Sequence, residues 1–169
     1  MDINTIAKTL DNNNIPFQFF KKDIDFPEDK IDVILEIQGF EGREIVKVEI
    51  INVPEIEQVT DGLQLVQFYV TFNCLIPEVD RIRHELLKLL SHINYTLAIG
   101  SFQLNQTENY IYLKYNLALE NGDASHLDIK ITRVLWLINR HFDVYSELFL
   151  DIIDEKITYA SAVDQNLIA

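Results

Sequence analysis

Apolar residues recur along this chain with two different periods, and the places where one period gives way to the other mark its elements. Ile3, Ile6, Ala7 and Leu10 fall at helical spacing, which predicts a short first helix. The run Asp11-Asn12-Asn13-Asn14 ends it, because these side chains bond nearby backbone in turns and tolerate left-handed conformations. Residues 15–21 are strand-like, with Phe17, Phe19 and Phe20. Period-two alternation then takes over. In residues 31–40, Ile31, Val33, Leu35 and Ile37 point one way and Asp32, Glu36 and Gln38 the other. After a turn at Glu41-Gly42, Val46, Val48 and Ile50 share one face of residues 44–53, and Pro54 stops that strand by removing a ladder donor. Past a polar loop through Thr60-Asp61-Gly62, residues 63–74 place Val66, Phe68, Val70, Phe72 and Cys74 inward.

The second half switches period three times. Pro77 fits the start of a helix, and Glu78 and Asp80 suit the positive end of its dipole. Val79, Ile82, Leu86, Leu89, Leu90 and Ile93 make its apolar stripe, and Asn94 is the expected stop. Strands follow over 97–104 and 110–119, joined by the polar turn 105–109. Leu127, Ile131, Val134, Leu135, Ile138, Phe142, Tyr145, Leu148, Phe149 and Ile152 then repeat at threes and fours for about seven turns. Residues 155–169 lose the period and read as a loosely attached tail. Neighbouring strands without strict alternation with helices predict an α+β fold for residues 1–154 as one domain. The expected architecture is a largely antiparallel sheet of five or six strands with helices packed on one face.

Charge narrows the partners. The net charge is −13, from 27 acidic and 14 basic side chains. Such a surface repels nucleic-acid backbone and anionic membrane, so neither is expected as a partner. No window reaches the roughly 18 uninterrupted apolar residues that a membrane span needs. The opening Met-Asp-Ile-Asn-Thr has neither the basic nor the apolar region of a signal peptide, and a single cysteine suits a reducing compartment, so the expectation is cytoplasmic.

Candidate chemistry is sparse. His84 and His92 lie eight apart on one helix, whereas a metal pair is more usually four apart, and His141 reads as a surface position. The acidic group Asp23, Asp25, Glu28, Asp29 and Asp32 has Glu28 where a calcium loop needs glycine, and reads as a solvated loop. Cys74 has apolar neighbours and reads as an inert buried thiol. No phosphate cradle or nucleophile elbow occurs, so no catalytic residue, metal or cofactor is expected.

One surface stands out. The alternation that buries one sheet face turns Ile34, Ile45, Ile51, Leu65, Tyr69, Tyr110 and Tyr112 to the other, among Glu36, Lys47, Glu49, Gln67 and Lys114. Part-apolar faces rich in tyrosine commonly mark association surfaces. Ile34, Ile45, Leu65, Tyr69, Tyr110 and Tyr112 are therefore the candidate interaction residues, with a homodimer as the simplest use. The competing reading is that long charged stems or the C-terminal tail cover this face.

From about Leu87 to Ile153 the chain resembles the YbjN family of bacterial proteins. The resemblance rests on Leu89-Leu90-Ser91-His92-Ile93-Asn94, on Gly100-Ser101-Phe102-Gln103-Leu104 entering a hairpin and Tyr110-Ile111-Tyr112-Leu113-Lys114-Tyr115 leaving it. The helix ending in Tyr145-Ser146-Glu147-Leu148 also fits. The element order is similar to that of type III secretion chaperone-like proteins, with one extra strand. The resemblance implies a chaperone-like fold, self-association, no enzymatic activity, and an adapter or regulator role toward a protein partner. The alternative is a small-molecule sensor or enzyme with a pocket between sheet and helices, using His92 or Asp143.

Overall fold

The computed structural model describes residues 3–24, 27–36, 45–53, 63–72, 74–120 and 126–168. The expected turn at Glu41-Gly42, the stop at Pro54 and the loop through Gly62 lie outside them. The elements are α1 (Ile3–Asn12), β1 (Phe17–Phe20), β2 (Lys30–Glu36), β3 (Ile45–Asn52), β4 (Gln64–Phe72), α2 (Asp80–Thr96), β5 (Ser101–Asn105), β6 (Tyr110–Leu119), α3 (Leu127–Ile153) and α4 (Tyr159–Asp164). The strands form one six-stranded sheet in the order β1-β2-β3-β4-β6-β5. Every neighbouring pair is antiparallel. The fold is the expected α+β class.

Register decides which face is buried. Val48 pairs with Val70, Val70 with Leu113, and Leu113 with Phe102, so these alternating side chains share a face. Ile31, Val33, Val48, Ile50, Val66, Phe68, Val70, Ile111 and Leu113 are completely shielded there. Helix α3 lays its stripe on this face. Phe142 sits 5.9 Å from Phe72 and 5.1 Å from Phe102 between ring centroids, and Phe149 sits 6.0 Å and 5.1 Å from the same two rings. Rings of this size contribute most per residue to the core, at about 1.5–3 kcal/mol each. Helix α2 adds Ile82, Leu86, Leu89, Leu90 and Ile93, and α1 adds Ile3, Ile6 and Leu10. Helix α1 ends as its sequence demands, with Asn14 in the left-handed region at φ 54°.

Four features differ from the sequence expectation. The strand expected from Leu97 begins at Ser101, because the chain first turns through Gly100 at φ 69°. A Cβ there would come within 2.9 Å of the Lys114 carbonyl oxygen, so only glycine fits. Asn94, expected as a helix stop, lies inside α2, which runs on to Thr96. Its side chain instead holds the next strand. Nδ2 donates to the Phe102 carbonyl at 2.8 Å, and Oδ1 accepts from the Phe102 amide at 2.7 Å. Strand β5 is a sheet edge, and this side chain stands in for a neighbouring strand at that residue.

His141 is not on the surface but 8% exposed, with Nδ1 unpaired, and burial lowers its pKa below the usual value. It lies on the flank of α3, where an amphipathic helix crosses from core to solvent. The fourth difference is the C-terminal segment, which is docked rather than loose. Thr158 Oγ1 caps α4 by accepting from the Ser161 amide at 3.1 Å, and the Tyr159 amide donates to Glu85 Oε2 at 2.8 Å. Ala162 and Ile168 are buried, and Arg81 pairs with Glu155. A helix of six residues is too short to display a period. No described helix is long and apolar enough to cross a membrane.

Candidate functional site

The helices leave the opposite sheet face uncovered among the described residues, and it has two zones. The first is electrostatic and lies on β2 and β3. Lys47 Nζ is 3.0 Å from Asp32 Oδ2 and 2.6 Å from Glu49 Oε1, while Lys30 Nζ is 3.4 Å from Glu49 Oε1 and 3.6 Å from Asp32 Oδ1. Positive and negative groups alternate around this square. Lys30 and Asp32 are only 8% and 7% exposed although they lie on the outer face, because the neighbouring stems close over them. Lys30 Nζ also lies 5.0 Å from the centroid of Phe20. Burial opposes charge on Lys47, but its hydrogen bonds to Glu49 and Asp32 outweigh that and hold its pKa above the ordinary lysine value. Burial likewise opposes charge on Glu49, and Lys47 and Lys30 overcome it, holding the carboxyl below its usual range. Groups pinned this way are poor candidates for proton transfer.

The second zone is aromatic and lies on β4, β6 and β5. Tyr69 Oη is 2.8 Å from Tyr110 Oη, and the Tyr69 and Tyr112 rings stack at 4.9 Å. Tyr110 meets Tyr112 at 6.1 Å, and Tyr112 Oη donates to Gln103 Oε1 at 2.5 Å. Partial burial and the bond to Tyr110 push the Tyr69 phenol well above its usual pKa. Each tyrosine keeps part of its ring in solvent.

The six expected interaction residues thus fall into separate groups. Tyr69, Tyr110 and Tyr112 come together in one cluster. Ile34, 55% exposed, stands apart beside the ion pairs, opposite Lys47 in register. With Pro16, Phe17, Gln18, Asp32 and Lys47 it lines a cleft of about 440 Å³ along the β1 edge. Leu65, on β4, is half-buried opposite Ala118, four residues along the strand from Tyr69. Ile45 opens β3 opposite Glu36, and its side chain lies outside the described residues. The ion-pair square escaped the sequence reading. Its signal was present as Lys30-x-Asp32 on one strand and Lys47-x-Glu49 on the next, and only the register reveals that these two pairs interlock.

The other sequence candidates have structural partners. His92 Nδ1 is 3.1 Å from Tyr159 Oη, in a groove on α2 that also holds His84, Ser91 and Tyr95. Asp143 Oδ2 accepts from Asn139 at 3.5 Å. Asp29 Oδ1 accepts from the Lys22 amide at 2.7 Å. Burial raises the Cys74 thiol to about 11, which keeps it protonated. Among the described residues no group of three or more histidine, cysteine or acidic side chains could hold a metal ion. The fold and this face together define an α+β protein with one helix-covered and one open sheet face. No family model, curated protein or solved structure matches the chain.

Proposed function

We propose that this protein is a non-enzymatic binding module of the YbjN type, a chaperone-like adapter or regulator that works in the cytoplasm without a cofactor. Its open sheet face docks a segment of a protein partner. The observation that carries this reading is the tyrosine cluster of Tyr69, Tyr110 and Tyr112 on a rigid sheet face that no described helix covers. Tyrosine offers large contact area with a polar tip and little rotamer freedom to lose. Asn94 already occupies the β5 edge at Phe102, so docking along an edge falls to β1, beside the cleft of Phe17 and Ile34. A net charge of −13 selects apolar or basic segments.

The test is to recover the tagged protein from its native cells in mild salt and identify what accompanies it. A stoichiometric protein that is lost on Leu65→Asp, Tyr69→Asp or Ile34→Asp, with the urea midpoint unchanged, supports the reading. Retention of that partner by all three variants refutes it. Recovery with a bound metabolite instead would move the function to small-molecule sensing.

A further inference from the structure

The outward face of α3 lines up an exposed tryptophan with two partly exposed aliphatic side chains. Trp136, the sole tryptophan, is 65% exposed, and Ile129 and Val144 are each 45% exposed. Arg133 and Arg140 are exposed between them. Spacings of four, three, four and four place all five within about 60° of one line along the helix. Tryptophan and arginine are the residue types that dominate binding energy in protein interfaces. In a chain with 27 acidic side chains, neither arginine makes an ion pair among the described residues. The same face continues into Asp143, Glu147 and Asp151, so its first half is basic and its second half acidic.

We infer that this face is the contact between two copies of the chain, packed antiparallel across a two-fold axis at the level of Ile138. An isologous contact requires a self-complementary patch, and the charge order along α3 supplies one. With the axis there, Arg133 lies opposite Asp143 of the second copy, and Trp136 lies opposite its Arg140, the geometry of a cation–π pair. Ile129 lies opposite the aliphatic stem of its Glu147. A wholly acidic partner would satisfy the arginines but be repelled by Asp143, Glu147 and Asp151. The sheet face is left free for the partner proposed above, and the two surfaces stand or fall separately. From Ile129 to Val144 the stripe is about 22 Å long on a helix about 10 Å wide. That buries only a few hundred Å² per copy, below the roughly 800 Å² of a standard interface, so the association is weak and depends on concentration.

Sedimentation of the full chain from about 1 µM to about 500 µM reads this directly. Wild type is expected to pass from the mass of one copy to that of two, and to do so less readily as salt rises. Trp136→Ser, at an exposed position, should weaken association by at least about tenfold. Arg133→Glu alone and Asp143→Arg alone should each stay single, since each sets like charges opposite one another twice. Mixed together they should pair, because both contacts become attractive again. Circular dichroism and urea midpoints confirm that each variant folds. A wild type that stays single at the highest concentration overturns the inference. So does association that Trp136→Ser leaves unchanged, or that high salt strengthens.

Discussion

Replacing Asn94 with alanine should cost far more than a polar side chain on the last turn of a helix normally does. Its amide makes two hydrogen bonds, of 2.8 Å and 2.7 Å, to the carbonyl and amide of Phe102. Phe102 is 1% exposed, with its ring packed against Phe142, Tyr145 and Phe149, so water reaches those backbone groups poorly once the side chain is gone. A buried donor or acceptor left unmade costs about 1–3 kcal/mol. Two of them on an edge strand, where some relaxation toward water is available, put the loss at about 2–4 kcal/mol. At a urea dependence of about 2 kcal/mol per M, the midpoint drops by about 1–2 M. Asn94→Asp is the sharper variant: it keeps an acceptor for the Phe102 amide but sets a carboxylate against the Phe102 carbonyl. It should therefore be nearly as damaging at neutral pH, and partly restored in acid, where a protonated carboxyl donates again. Urea unfolding followed by far-ultraviolet circular dichroism measures both, with the exposed Asn116→Ala as reference. A loss below about 0.5 kcal/mol, the range of ordinary surface changes, would show that Asn94 does not hold the strand.

Two further outcomes follow from the fold. Gly100→Ala meets both a left-handed backbone and the Lys114 carbonyl oxygen, and should destabilise by about 1–3 kcal/mol in the same urea assay; an unchanged midpoint would mean that the hairpin shifts freely. Burial lowers the pKa of His141 in the fold, so near its ordinary value of 6.5 the unfolded chain takes up a proton that the folded one resists. Stability should be greatest above that pH and fall as pH drops through it toward the lower folded value. His141→Gln should flatten that slope in thermal melts at a series of pH values, and an identical slope would assign it to other groups.

The parts of the fold legible in the sequence are those where one residue's burial repeats at a fixed period. Alternation alone placed Val48, Phe68 and Val70 inward and Ile34, Tyr69 and Tyr112 outward, and the stripe of α3 announced its length. What stayed hidden depends on contacts between residues distant in the chain. Asn94 reads as a helix stop until β5 is placed beside it. The pairing of Asp32 with Lys47 needs the β2–β3 register, and the stacking of Tyr69 on Tyr112 needs β4 beside β6. Residues 155–168 show no period because α4 is short and its anchor, Glu85, lies on another helix. His141 reads as a surface position beside Arg140, yet on the helical wheel it falls between the buried Val134 and Leu148, so the burial of its neighbours on that arc is the better guide.

The placement of Trp136 also governs what light reports about this molecule. A single tryptophan that is 65% exposed sits in much the same aqueous surroundings whether the chain is folded or not. In the single copy its emission will therefore change little on unfolding, unlike that of proteins whose tryptophan lies in the core. The same indole responds to anything that settles on the outer side of α3, giving the protein a built-in optical label for contact at that one face.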